Sequence, residues 1–174
     1  AISACEKGGA WVEALDLYER MLETKSFKPN VVTMNSLMEA LDNAGQKELQ
    51  QSIYSEGVGQ GLVDPWRWTK NKAGEPILAL DLHTFSAPMA KAAIRKIMDS
   101  WLDEKDNTGG GLSGDRVIIT GKGKHSVRLP VLQRVTKCVL LEYGIKSEID
   151  KSNHGRIVVT TADLMECFSD KSWS

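Results

Sequence analysis

The apolar positions of this chain change period as it proceeds. Over residues 1–65 they recur at helical spacing, with Trp11, Ala14, Leu15, Tyr18 and Leu22 on one stripe. Residues 77–83 alternate instead. Leu78, Leu80 and Leu82 fall on one face of an extended segment, and Ala79, Asp81 and His83 on the other. This pattern predicts a strand with one buried face and one polar, solvated face. Helical spacing returns over 89–104, where Met89, Ala93, Ile97, Met98 and Trp101 share a stripe, Ser86 offers an N-cap and Pro88 sits in the tolerant first turn. The β-branched run 116–121 predicts a second strand. A helix follows over 131–143, with Leu132, Val135, Val139, Leu140 and Tyr143 apolar, and Gly144 ends it. A hairpin over 146–150 and 156–160 and a last helix over 161–168, capped by Thr161, complete the order βαβαββ. A small two-layer α/β domain with a mixed sheet is expected, its major helices returning by right-handed crossovers.

The first 65 residues repeat. Sliding them by 36 positions brings Ala4 onto Ala40, Gly9 onto Gly45 and Tyr18 onto Tyr54. Each unit reads as helix, glycine turn, helix, and Pro29 interrupts the chain between units. Helical hairpins of this period stack into a solenoid. The glycines of 57–75, with Asp64-Pro65, predict a linker over 66–76 whose Trp66 and Trp68 pack it against a domain. The expected domains are therefore 1–65 and 77–169. The chain opens at Ala1 inside a helical pattern, so it reads as part of a longer protein, with any targeting segment outside it.

Composition narrows the function classes. Hydrophobic content of 41% and charged content of 26% suit a globular protein, and no apolar run is long enough to span a membrane. Cys5, Cys138 and Cys167 lack C-x-x-C spacing, which argues against a zinc knuckle or a disulfide framework and predicts buried free thiols. The net charge of −1 conceals an asymmetry. Residues 1–64 hold ten acidic and five basic side chains, and the remainder thirteen acidic and seventeen basic. Positions 116–137 carry Arg116, Lys122, Lys124, Arg128, Arg134 and Lys137 with no acidic residue among them, a candidate phosphate-binding surface.

The chemistry converges on two strand ends. Asp81 and His83 lie two residues apart and leave the same face of the first strand, at the C-terminal end where α/β folds place ligands. The second strand runs into Thr120-Gly121-Lys122-Gly123-Lys124-His125-Ser126. Its glycines allow close backbone approach, successive amides can form an anion nest, and Lys122, Lys124 and His125 add cationic donors. Neighbouring, parallel strands would put Asp81, His83 and residues 121–126 on one rim. There Asp81 and His83 would transfer protons or activate water, with His125 as an alternative acid and the lysines offsetting charge on a phosphodiester. If a metal takes part, it is Mg²⁺ and Asp81 is its best single ligand, and no second acidic residue stands near it in sequence to build a two-metal site. His154, on the hairpin turn, reads as structural or exposed.

Two resemblances follow from these motifs. Ile2-Ser3-Ala4-Cys5-Glu6-Lys7-Gly8-Gly9, Glu13-Ala14-Leu15-Asp16-Leu17-Tyr18 and Lys28-Pro29-Asn30-Val31-Val32-Thr33-Met34-Asn35-Ser36-Leu37 resemble pentatricopeptide repeats, over roughly residues 1–65. That resemblance implies a helical solenoid binding single-stranded RNA, about one base per repeat. Asn35 and a last residue near Asp64 would choose the base and favour uracil, although Asp64-Pro65 inverts the usual order. Leu80-Asp81-Leu82-His83 and the residue 120–126 motif, with Asn153-His154-Gly155-Arg156-Ile157-Val158-Val159, resemble the Smr (small MutS-related) domain over about 77–169. Repeats ending in an Smr domain are a known architecture of plant and algal organelle proteins. The joint resemblance implies an endoribonuclease in organelle RNA processing, in chloroplast or mitochondrion, with single-stranded RNA as partner and DNA as a further substrate class. A non-catalytic RNA-binding or protection factor, and a protein-interaction scaffold, are the alternatives.

Overall fold

The computed structural model describes residues 2–24, 28–71, 73–107, 114–122 and 130–169. Four helices are followed by a mixed five-stranded open sheet with interleaved helices. Two compact units result: Ala1–Asp64 with Thr84–Ala93, and Pro65–His83 with Ile94–Ser174. Among the described residues no helix is long and apolar enough to cross a membrane.

The helical unit holds α1 (Ile2–Gly8), α2 (Trp11–Glu23), α3 (Val31–Asn43) and α4 (Lys47–Gly59). Its two hairpins turn by the same device, as the repeat predicts. Gly9 and Gly45 both take φ near +70°, a conformation that costs glycine nothing. Ala10 N donates to Cys5 O at 2.9 Å, and Gln46 N to Leu41 O at 2.9 Å. The equivalent Tyr18 and Tyr54 are both buried, and burial pushes both phenols upward. Asn30 caps α3 by accepting from Val32 N and Thr33 N. The start of α5 (Ala87–Asn107) completes this unit. Phe85 meets the Tyr54 ring edge-on at 6.3 Å, Gln51 Nε2 donates to Ala92 O at 3.2 Å, and Lys91 pairs with Asp42 at 3.4 Å.

The α/β unit adds β1 (Trp66–Lys70), β2 (Pro76–Asp81), β3 (Arg116–Ile119), α6 (Val131–Glu142), β4 (Glu148–Ile149), β5 (Arg156–Val159) and α7 (Thr161–Ser169). The strands lie in the order β1-β2-β3-β5-β4, with β2 and β3 parallel and the other described pairs antiparallel. The stripe expected over 89–104 is buried throughout in α5.

Five expectations change. Residues 66–70 are a strand, not linker: they pair with β2 from Trp66↔Leu80 to Lys70↔Pro76, because Trp66, Trp68 and Thr69 are good strand formers. Trp68 is 71% exposed, so it does not pack against a domain. The polar face of β2 is not solvated: Ala79 joins Val117 and Val158 in a small apolar cluster flanked by Ile77 and Ile119, and Asp81 is 8% exposed, while Leu78 is open. Cys138 is exposed rather than buried. At α7 the cap moves by one residue: Thr160 Oγ1 donates to Asp163 and accepts from Asp163 N, a reciprocal cap.

Candidate functional site

The C-terminal ends of β2 and β3 lie side by side, through Leu80↔Ile118 and Asp81↔Ile119. The two motifs therefore leave the sheet at one rim, as expected. At that rim every oxygen of Asp81 is in use. Oδ1 accepts from His83 Nδ1 at 2.6 Å and from His83 N at 3.1 Å, and Oδ2 forms an ion pair with Arg67 Nε at 2.7 Å. The backbone bond to a residue two positions on is the local turn that aspartate favours, and it folds His83 back over its own strand end. A carboxylate has no proton to give, so Nδ1 carries the hydrogen, and in the neutral ring Nε2 is left as an acceptor. The His83 side chain is 42% exposed while that of Asp81 is 7% exposed. A buried anion thus holds a half-open imidazole in one tautomer.

Gly121 is the next neighbour. It takes φ of +75°, and a Cβ there would stand 3.6 Å from His83 Cβ. Its amide and that of Thr120 are already engaged, while most of the turn in which the sequence suggests an anion nest, residues 123–126, lies outside the described residues. Both amides donate to Gly155 O, at 3.1 and 2.9 Å. Gln133, 2% exposed at the first turns of α6, donates from one amide nitrogen to Gly121 O and to His154 O. The turn after β3 is thereby tied to the hairpin before β5, and Lys122 is exposed at its end.

Gly155 makes that junction possible. A Cβ on it would meet Gly121 C at 3.2 Å and Lys122 N at 3.3 Å, both backbone atoms with little room to yield. Gly155→Val is expected to destabilise the α/β unit by about 1–3 kcal/mol through overpacking. Urea unfolding followed by circular dichroism measures it, and a midpoint within error of the parent protein would show that the turn yields freely.

The other sequence-derived candidates are placed differently. Asn35 belongs to the helical unit, and both its polar ends are engaged: Nδ2 donates to Thr84 O at 2.8 Å and Oδ1 accepts from Ser86 N at 2.7 Å. The residue assigned to base reading secures the segment entering α5. Asp64 is exposed at the close of the same unit. Gly123, Lys124, His125 and Ser126 lie outside the described residues. Arg116, counted in the basic stretch, is held by both oxygens of Glu104 at 2.8 Å.

A Mg²⁺ site on Asp81 does not fit this arrangement. One carboxylate oxygen accepts both hydrogen bonds from His83, a guanidinium charge stands 2.7 Å from the other, and no group of three His, Cys, Asp or Glu side chains among the described residues could hold a metal ion. Arg67, Gln133 and Gly155 are the site residues that sequence reasoning misses. The alternation of Trp66-Arg67-Trp68-Thr69, read as a strand, would have put Arg67 beside Asp81. No signal marks Gln133 within its helix. No protein-family model matches the chain, and no curated protein matches it significantly.

Proposed function

We propose that this protein is an RNA-binding protein of the pentatricopeptide-repeat and Smr kind, and that its α/β unit cuts single-stranded RNA in organelle RNA processing, in chloroplast or mitochondrion. The observation that carries the reading is the 2.6 Å hydrogen bond from His83 Nδ1 to buried Asp81, which leaves Nε2 as a base at an open rim. His83 Nε2 takes the proton of a ribose 2′-hydroxyl as that oxygen attacks the adjacent phosphorus. The bond from phosphorus to the 5′ oxygen breaks, and the departing oxygen takes a proton from water or from an acid, a role open to His125. Arg67 and Lys122, both exposed near the rim, offset the charge gathering on the phosphate. Asp81 acts through His83, as its positioning residue. The reaction is routed through no metal, because the carboxylate that would hold one is engaged. It also requires a 2′-hydroxyl, so RNA and not DNA is the substrate.

The test is cleavage of end-labelled single-stranded RNA by the full chain, in chelator and in Mg²⁺. A fragment starting near residue 70 would lack β1 and Arg67. Discrete products ending in 2′,3′-cyclic phosphate, equal in both buffers and lost in His83→Ala, are expected. RNA left intact but retained on a filter would overturn the enzyme reading in favour of a binding factor. Failure to retain any RNA would favour the scaffold.

A further inference from the structure

A second feature of the α/β unit lies on the side of Lys122 that faces the β4–β5 hairpin. A cleft of about 410 Å³ is lined by Lys122, Pro130, Gln133, Ile149, Lys151 and His154. No carboxylate is among its described lining residues. A cleft of about 580 Å³ elsewhere in this unit sets Lys70, Arg116 and Arg156 against Glu75, Asp115 and Asp150, and is balanced in charge. Lys122, Lys151 and His154 are all exposed, and among the described residues no acidic side chain pairs with any of them. Asp150, next to Lys151 in sequence, is buried and turned to Ser152, whose N and Oγ donate to it at 2.9 and 2.7 Å.

The cleft is built rather than left over. Buried Gln133 pins its two walls by donating to Gly121 O and His154 O, and Gly155 lets the Lys122 stem lie against the hairpin. Two ammonium groups and an imidazole are thus gathered on a fixed frame, with no counter-charge among the described residues. Such a frame suits an oxyanion, and a tetrahedral phosphate in particular.

We propose that this cleft binds a backbone phosphate of the RNA chain flanking the one that is cut. Lys151 and His154 would receive it, with Lys122 standing between it and the phosphate that is cut, and the strand would run from Arg67 past His83 to the β4–β5 hairpin. The assignment to RNA rests on the functional reading above. Being sequence-independent, the contact fixes where the strand lies and not which base is read.

Binding of the full chain to fluorescein-labelled single-stranded RNA, 2′-O-methylated so that it cannot be cut, tests this across a salt series. Lys151→Ala should weaken binding several-fold at low salt, equally for unrelated sequences, and make the log–log salt slope shallower by about 0.7. Lys151→Arg should restore the slope. Lys96→Ala, which removes an exposed charge from α5, should leave it unchanged. Parental affinity and slope in Lys151→Ala, with binding and cleavage otherwise intact, would overturn the cleft and leave the nuclease standing. Pyrophosphate binding that is lost in Lys151→Ala while RNA affinity is kept would make it a free-anion site, and also overturn the proposal. No RNA binding by the parent protein at any salt would overturn the functional reading and the cleft's RNA assignment with it.

Discussion

Asp81→Asn should slow RNA cleavage by about 10³–10⁴-fold, the loss that follows when a catalytic imidazole is held in the wrong tautomer. The argument is one of donors and acceptors. Asp81 accepts two hydrogen bonds, from His83 Nδ1 and His83 N, and its other oxygen pairs with the Arg67 guanidinium. An asparagine has a single acceptor oxygen and an NH₂ that only donates. If the oxygen stays toward His83, the NH₂ confronts the Arg67 guanidinium. If it turns to Arg67, the NH₂ faces His83 Nδ1, which must then accept, and the proton moves to Nε2. In the second arrangement the base is lost outright, and the first is opposed by the guanidinium charge. RNA affinity should stay within about twofold, since Asp81 is buried and contributes no phosphate contact of its own. Arg67→Ala should cost less, because the guanidinium is 58% exposed and its pairing is weakened by water. Single-turnover cleavage beside filter binding separates these effects. An Asp81→Asn protein that keeps more than about a tenth of its rate would show that the hydrogen bond to His83 does not set the tautomer.

Periodicity carried most of the fold and little of the site's wiring. Met89, Ala93, Ile97, Met98 and Trp101 could be assigned to one buried helical face from spacing alone, and all five are buried. The 36-residue repeat announced two alike hairpins, and Gly9 and Gly45 turn them alike. Residues 66–70 were hidden because the glycines before them and the turn at 71–74 read as linker, although the strand's own residues alternate. The spacing of Asp81 and His83 placed both on one strand end, but it could not reveal that the carboxylate is buried. Burial there depends on Arg67, a partner fourteen positions earlier, brought in by a hairpin. The glycine motif after β3 suggested an anion nest, since free amides and hydrogen-bonded amides look the same in sequence. In the structure Gly155 O has taken two of them. Asn35 shows the same limit. Its type and position suit base reading, yet its carboxamide is committed to Thr84 and Ser86, which lie far along the chain. Sequence thus discloses which groups are available more readily than which are already engaged.

Ile118→Ala should be the largest single blow to the α/β unit, costing about 2–5 kcal/mol against a typical domain stability of about 5–15 kcal/mol. Ile118 is 0% exposed on β3, the strand flanked by β2 on one side and β5 on the other. It stands in register with Leu80 on the parallel side and with Ile157 on the antiparallel side, so three buried aliphatic side chains abut on one face. Truncation removes apolar burial, leaves a cavity between fixed neighbours, and puts a poor strand former at the centre of the sheet. The same pairing sets the register that brings Asp81 level with Ile119 and delivers both motifs to one rim. The site should therefore survive the substitution below the new midpoint and vanish with the sheet above it. Urea unfolding followed by tryptophan fluorescence, to which buried Trp101 contributes, would show the shift, with Leu141→Ala, on the exposed face of α6, as the control expected within about 0.5 kcal/mol of the parent. A loss below about 1 kcal/mol for Ile118→Ala would mean that β3 is not the strand on which this sheet closes its core. The rim would then owe its geometry to the ties through Gly155 and Gln133 instead.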